Sequence, residues 1–305
     1  MKKKIQGVVV PLITPLKDQA AVDEMGLARL IDYVVKGGVD AVFALGTTGE
    51  GPCLSNRMKR DLISYTNQHL RGRMKNLVGI IDTSPEESIR WSGIAADNGA
   101  DAVVLAPPSY FPFTPEELEA YVRHIAYHSP LPVLLYNIPR LTKTAFDIET
   151  IRRLADQKNI IGFKDSSRDW MYFQDVLNVA KARPDWTVLT GTEELLVKSM
   201  EAGADGGVLG GANIFPRLLS SFYQAIKNNN VSEVARLEST LSDYRRIYSS
   251  GIGATSSIQT IKYILEQQGI CRRTMTVPFK VMDENTGRRV SEIVGHYFNN
   301  TSQSI

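Results

Sequence analysis

The sequence predicts an α/β protein, a (β/α)8 TIM barrel with a C-terminal helical extension. Three observations lead there. Roughly eight short apolar runs alternate with helix-like segments over about 230 residues, the count and size of such a barrel. One helix-to-strand joint recurs as Lys36-Gly37-Gly38-Val39-Asp40-Ala41-Val42, Asp97-Asn98-Gly99-Ala100-Asp101-Ala102-Val103 and Glu201-Ala202-Gly203-Ala204-Asp205-Gly206-Gly207-Val208. In each, glycine ends the helix, small residues turn, and aspartate precedes the strand. Finally, the first apolar run ends in Pro11. An open doubly wound sheet, the other arrangement for such alternation, places a phosphate-binding glycine turn at that point.

The elements follow in order. Gly7-Val8-Val9-Val10-Pro11-Leu12 is a first strand, and Asp23 caps a helix with Leu27, Leu30, Ile31 and Val34 at helical spacing. Strands are expected at 41–45, 77–81, 101–105, 132–136, 159–164, 186–189 and 206–209. Helices are expected from about Ser55, Ser84, Thr114, Asp147, Ser167, Thr192 and Pro216. Ser84-Pro85-Glu86-Glu87 and Thr114-Pro115-Glu116-Glu117 share one start signal, a hydroxyl cap with proline in the first turn. From about Val231 the rhythm changes to helices alone, over 231–248, 256–268 and 288–297. The domain reading is therefore a barrel over 1–230 carrying the site and a helical appendage over 231–305, packed on the barrel or on another subunit.

The 305 residues are 43% hydrophobic and 22% charged, an ordinary globular balance with ample core. A net charge of +2 points to neither nucleic acid nor an anionic membrane as partner. Met1-Lys2-Lys3-Lys4 imitates the start of a signal peptide, but Pro11 and Pro15 interrupt the short apolar stretch after it. Cys53 and Cys271 make neither a disulfide framework nor a metal cluster, so a cytoplasmic location is expected.

The chemistry centres on Asn159-Ile160-Ile161-Gly162-Phe163-Lys164-Asp165, a nearly all-apolar strand ending on a lysine. A strand buried on both faces hides what it carries. A lysine in a dry pocket loses solvation for its charged form, and its neutral amine condenses with a ketone to a Schiff base. A solvated lysine just past the strand is the ordinary alternative. The neighbours decide, because active groups of a barrel lie at the C-terminal strand ends. There the sequence places Thr47 and Thr48, Tyr110, Tyr136, Lys164, Glu193-Glu194 and Val208. A tyrosine phenol beside such a lysine can pass protons to and from a carbinolamine, and a threonine hydroxyl can relay them.

Gly46-Thr47-Thr48-Gly49-Glu50, Tyr136-Asn137-Ile138-Pro139 and Gly162-Phe163-Lys164-Asp165 together resemble the signature segments of the dihydrodipicolinate synthase / N-acetylneuraminate lyase family. The resemblance runs in order from about Gly7 to Ile226 and implies class I aldolase chemistry without cofactor or metal. It makes Lys164 the imine-forming residue for pyruvate or a 2-keto acid and Tyr136 the general acid/base. Thr47 relays protons, Thr48 helps bind the pyruvate carboxylate, and Val208 gives backbone contact. Tyr110 matches a tyrosine lent across a subunit interface, and a homotetramer, a dimer of dimers, is the implied assembly.

Two departures bear on substrate. Leu141 stands where the synthase branch keeps an aldehyde-binding arginine, with Arg140 one residue earlier. Glu193-Glu194 matches an acidic pair that holds sugar hydroxyls in the lyase branch, and Gly210 replaces that branch's serine. Glutamates in a helix's first turn are also favoured by its dipole alone. The reading is a lyase acting on pyruvate or a 2-keto-3-deoxy sugar acid, with Glu194 on the substrate. A 4-hydroxy-tetrahydrodipicolinate synthase and a non-catalytic 2-keto acid binder are the alternatives.

Other signals carry less. His124 and His128 are four apart but lack the glutamate of a zinc-protease helix. Gly251-Ile252-Gly253-Ala254-Thr255-Ser256 lacks a preceding strand and the last glycine of a dinucleotide turn. Cys53 is expected to be a small buried thiol.

Overall fold

The computed structural model describes residues 4–301. Eight parallel strands close into one barrel: β1 Gly7–Pro11, β2 Ala41–Ala44, β3 Lys75–Gly79, β4 Ala102–Leu105, β5 Val133–Asn137, β6 Ile160–Asp165, β7 Thr187–Thr190 and β8 Gly206–Val208. Each pairs with its neighbours in sequence, and β1 pairs with both β2 and β8. A short hairpin, Leu16–Asp18 with Ala21–Val22, follows β1 and has no counterpart in the sequence reading.

The recurring joint has a physical basis. Gly38, Gly99 and Gly203 all take positive φ, a turn conformation that side chains resist. The aspartate after each glycine then accepts a backbone N–H from a neighbouring strand. Asp40 accepts from Val8 at 2.8 Å, Asp101 from Asn76 at 2.9 Å and Asp205 from Val188 at 2.8 Å. One motif thus both ends a helix and ties the next strand to its neighbour. Expected helix starts at Thr114 and Asp147 form, with Thr114 and Glu117 in a reciprocal capping box and Asp147 capping helix Ile148–Leu154. The helix expected from about Ser167 begins later, at Trp170, because Asp169 supplies its cap.

Strand alternation builds two apolar layers. Val8, Val42, Val78, Val103, Leu135 and Val188 pack outward under the helices. Val9, Phe43, Leu77, Val104, Leu134, Tyr136, Leu189 and Val208 fill the barrel interior. β6 breaks the alternation. Val133 pairs with Ile160 but Leu134 pairs with Gly162, leaving Ile161 as an extra residue. Ile161 packs with the inner set, so unbroken alternation would turn Phe163 inward and Lys164 outward. The bulge reverses that phase. Phe163 joins the outer layer, and Lys164 sits beside the inward Tyr136 in the ladder. Gly162 is required here: a Cβ on it would lie 2.0 Å from the Thr187 carbonyl oxygen.

After helix Pro216–Lys227 the chain continues as helices Val231–Arg245, Ser256–Gln267 and Glu284–Thr301. The extension packs on the barrel. Phe215 stacks on Tyr244 at 4.7 Å, and Ile258 to Leu265 are buried throughout. Among the described residues no helix is long and apolar enough to cross a membrane.

Candidate active site

Lys164 closes the inner face of β6 and is 5% exposed. Its Nζ lies 3.6 Å from the centre of the Tyr136 ring and 5.3 Å from that of Phe43. Phe43 meets Tyr136 edge-on at 6.4 Å, so two aromatic rings exclude water from the amine. Burial is the largest influence on Lys164 and lowers its pKa, against a smaller opposing pull from Tyr136 and Asp165. The amine is therefore held closer to its neutral, nucleophilic form than a solvated lysine.

The Tyr136 hydroxyl stands 3.4 Å from Thr47 Oγ1, and either group can donate. Thr47 and Thr48 lie on a tightly built turn after β2. Leu45 and Glu50 take left-handed backbone conformations on either side of it. A Cβ on Gly51 would sit 2.2 Å from the Leu45 carbonyl oxygen, so only glycine permits this approach. Thr14 donates to the Gly49 carbonyl at 2.6 Å and fixes the turn against the loop after β1. On the other side of Lys164, Asn137 donates to Asp165 at 2.8 Å, and Ser167 donates to the second oxygen of Asp165 at 2.7 Å. This network, which sequence reading did not single out, clamps the ends of β5 and β6 where Tyr136 and Lys164 emerge. Val208 lies on the inner layer two strands on from Lys164, paired with Val9 of β1.

The acidic pair divides. Glu193 is buried and its Oε1 accepts the Gly211 N–H at 2.6 Å. Burial raises its pKa, as it does that of Tyr248 beside it. Glu193 thus braces the loop after β8. Glu194 is exposed and lines a cleft of about 150 Å³ with Thr48, Arg168 and Gly210. A larger cavity of about 500 Å³ reaches Thr47, with Cys53, Ile138, Leu141 and Phe279 among its walls. Leu141 faces this cavity, and Arg140 is exposed without lining it.

One sequence expectation changes. Cys53 is exposed instead of buried, because the short 3-10 turn Gly51–Cys53 carries it to the cavity wall. Tyr110 is 79% exposed and packs edge-on against Phe111 at 4.9 Å, without a hydrogen bond to Tyr136 of its own chain. The sequence reading also passed over Lys262. Its Nζ bonds to Glu50 at 2.5 Å and to the Thr274 carbonyl at 2.7 Å. The two partners lie 212 residues apart, so no local pattern could reveal the pair. His124 and His128 sit on a helix surface, with His124 bonded to Glu86.

A closed barrel with an inward lysine at a strand end beside a tyrosine and a threonine defines the class of Schiff-base-forming aldolases and lyases. Comparison narrows this to one family. The family model described as the dihydrodipicolinate synthetase family matches residues 4–297. A probable 2-dehydro-3-deoxy-D-pentonate aldolase of Escherichia coli K12 is 30% identical over 278 residues, 90% of this chain and 91% of the relative. The solved dihydrodipicolinate synthase of Bacteroides thetaiotaomicron superposes with a TM-score of 0.93 at 41% identity, covering 97% of this chain and 100% of that one. A prophage protein of the same family from E. coli K12, solved with pyruvate, gives a TM-score of 0.90 at 27% identity, covering 96% and 98%. The chain belongs to the dihydrodipicolinate synthetase family and is an enzyme of its aldolase/lyase class.

Proposed function

We propose that this enzyme cleaves or forms a carbon–carbon bond next to a pyruvate unit through an imine at Lys164, with a 2-keto-3-deoxy sugar acid as the larger substrate. The observation that carries the reading is the Lys164 amine, buried at 3.6 Å from the Tyr136 ring, with the Tyr136 hydroxyl adjoining Thr47.

The amine attacks the C2 ketone, and the carbinolamine loses water to give the imine. Tyr136 supplies and recovers the protons, with Thr47 as relay. Breaking the C3–C4 bond sends its electron pair into the imine to give an enamine, while the C4 hydroxyl loses its proton and departs as an aldehyde. Protonation at C3 and hydrolysis release pyruvate. Thr48 binds the pyruvate carboxylate, Val208 walls the keto acid, and Glu194 accepts hydrogen bonds from the sugar hydroxyls. The reaction calls for neither cofactor nor metal.

Leu141 on the cavity wall, with Arg140 directed elsewhere, favours a sugar-acid substrate over aspartate semialdehyde, whose carboxylate would want a guanidinium there. Condensation of pyruvate with that aldehyde, as in the named synthases, is the second reading. A binding protein without catalysis would have no use for the Tyr136–Thr47 proton path. We further propose a cytoplasmic homotetramer with only small-molecule partners. The exposed Tyr110–Phe111 pair supports this assembly, because two bare aromatic rings at the mouth of a barrel suit an interface through which Tyr110 enters a neighbouring site.

Turnover measured over a panel of 2-keto-3-deoxy acids, N-acetylneuraminate, and pyruvate with aspartate semialdehyde tests the substrate. Activity confined to aspartate semialdehyde would replace the first reading by the second.

A further inference from the structure

We propose that Arg168 reads a second anionic group, at the far end of the substrate's hydroxylated chain. The inference rests on the imine-lyase reading above and adds to it the class of sugar acid.

Arg168 lies four residues beyond Lys164, in the loop after β6. Its φ is +69°, a left-handed conformation that glycine takes freely and arginine resists. The residue lines the cleft that also holds Thr48 and Glu194. Three nearby carboxylates have other partners. Asp165 accepts from Asn137 and Ser167, Asp169 caps the next helix through the Tyr172 N–H, and Glu193 holds the Gly211 N–H. Among the described residues the Arg168 guanidinium has no hydrogen-bond or ion-pair partner, and neither does the Glu194 carboxylate.

The cleft therefore offers a planar, donor-only fork and an acceptor-only carboxylate, and the proposed pyruvate-binding Thr48 also lines it. A guanidinium fork matches a carboxylate or a phosphate in two parallel hydrogen bonds. Glu194 suits hydroxyl donors. A ligand that satisfies both carries hydroxyls along its middle and an anion at its end. The substrate class is a 2-keto-3-deoxy sugar acid whose last carbon is a carboxylate or bears a phosphate ester. Cleavage then releases pyruvate and a hydroxyaldehyde that keeps the anion.

Three six-carbon probes test this: 2-keto-3-deoxygluconate with its neutral end, its 6-phosphate, and 2-keto-3-deoxyglucarate with a terminal carboxylate. The expected wild-type result is a kcat/KM at least about tenfold higher for an anion-ended probe than for the neutral one. The preferred probe identifies carboxylate or phosphate as the group read. In Arg168→Gly, which suits the backbone at this position and keeps the fold, the anionic-to-neutral ratio falls about tenfold, and Arg168→Lys restores part of it. A ratio unchanged by Arg168→Gly, a wild-type preference for the neutral end, or no turnover of either anionic probe overturns the proposal. Failure of borohydride to trap pyruvate on the wild-type enzyme strikes the imine reading instead.

Discussion

Lys262 Nζ lies 2.5 Å from Oε1 of Glu50, and solvent reaches neither side chain. The other Glu50 oxygen accepts the Thr276 N–H at 2.8 Å and the Thr276 hydroxyl at 2.7 Å. Glu50 stands two residues after Thr48, so the helical extension grips the turn that carries both threonines. Burying two charges costs several kcal/mol per ion, and the pair holds because its hydrogen bonds are nearly complete. The extension is thereby tied to the active face.

Lys262→Met leaves the Glu50 carboxylate buried without its cation and is expected to cost about 3–5 kcal/mol. Glu50→Gln with Lys262→Met removes both charges and should cost less than the two single changes added. Urea unfolding of the four proteins gives the coupling, and strict additivity would show that the pair contributes none.

Lys164 itself opposes folding. Its pKa is lowered in the folded state, so below the ordinary lysine value the unfolded chain binds more protons, and stability rises with pH. The penalty is full below the folded pKa and fades as pH approaches that of a free lysine, about 10.4. Lys164→Met should raise the melting temperature near neutrality, with a gain that shrinks in alkali. A loss of stability, or a gain independent of pH, would contradict the cost assigned to the buried amine.

Borohydride with pyruvate should label Lys164 and inactivate the enzyme, and the labelling rate should climb to its midpoint below the pH of an ordinary lysine. Peptide mapping across a pH series measures both. Full activity after treatment, or inactivation by a chelator, refutes the imine.

Gly162→Ala places a methyl against the Thr187 carbonyl, a backbone atom that cannot swing aside. A stability loss of about 1–3 kcal/mol is expected, with slower pyruvate trapping, because the strained bulge is what turns Lys164 inward. Thermal melts and trapping rates on one preparation report both, and a normal trapping rate in a destabilised protein would separate the bulge from the amine's placement.

Glu194→Gln keeps the shape of the side chain but weakens its acceptor. The KM for polyhydroxylated substrates should rise about tenfold, more than any change in pyruvate trapping. Equal effects on both would remove Glu194 from recognition of the chain.

Much of the molecule is legible in its residues. The joints at Gly38, Gly99 and Gly203 reveal helix ends and strand starts because turn conformation and capping are local properties. The strand ends bearing Thr47, Tyr136 and Lys164 follow from the same rhythm. The exposure of Cys53 and the role of Glu193 do not, since each depends on where a neighbouring loop runs. Arg168 escapes notice because a positive φ leaves no mark on an ordinary residue.

Sequence by itself determined the alternation of strands and helices, the number of units and the chemical groups at one end of the barrel, all set by short-range preferences and periodicity. Tertiary structure decided the direction of Lys164. A strand's alternation has a phase, and that phase is set by the register of its partners. The extra Ile161 shifts it by one residue between β5 and β7. The grip of Lys262 on Glu50 was decided the same way, because an ion pair across 212 residues exists only once folding has closed the distance.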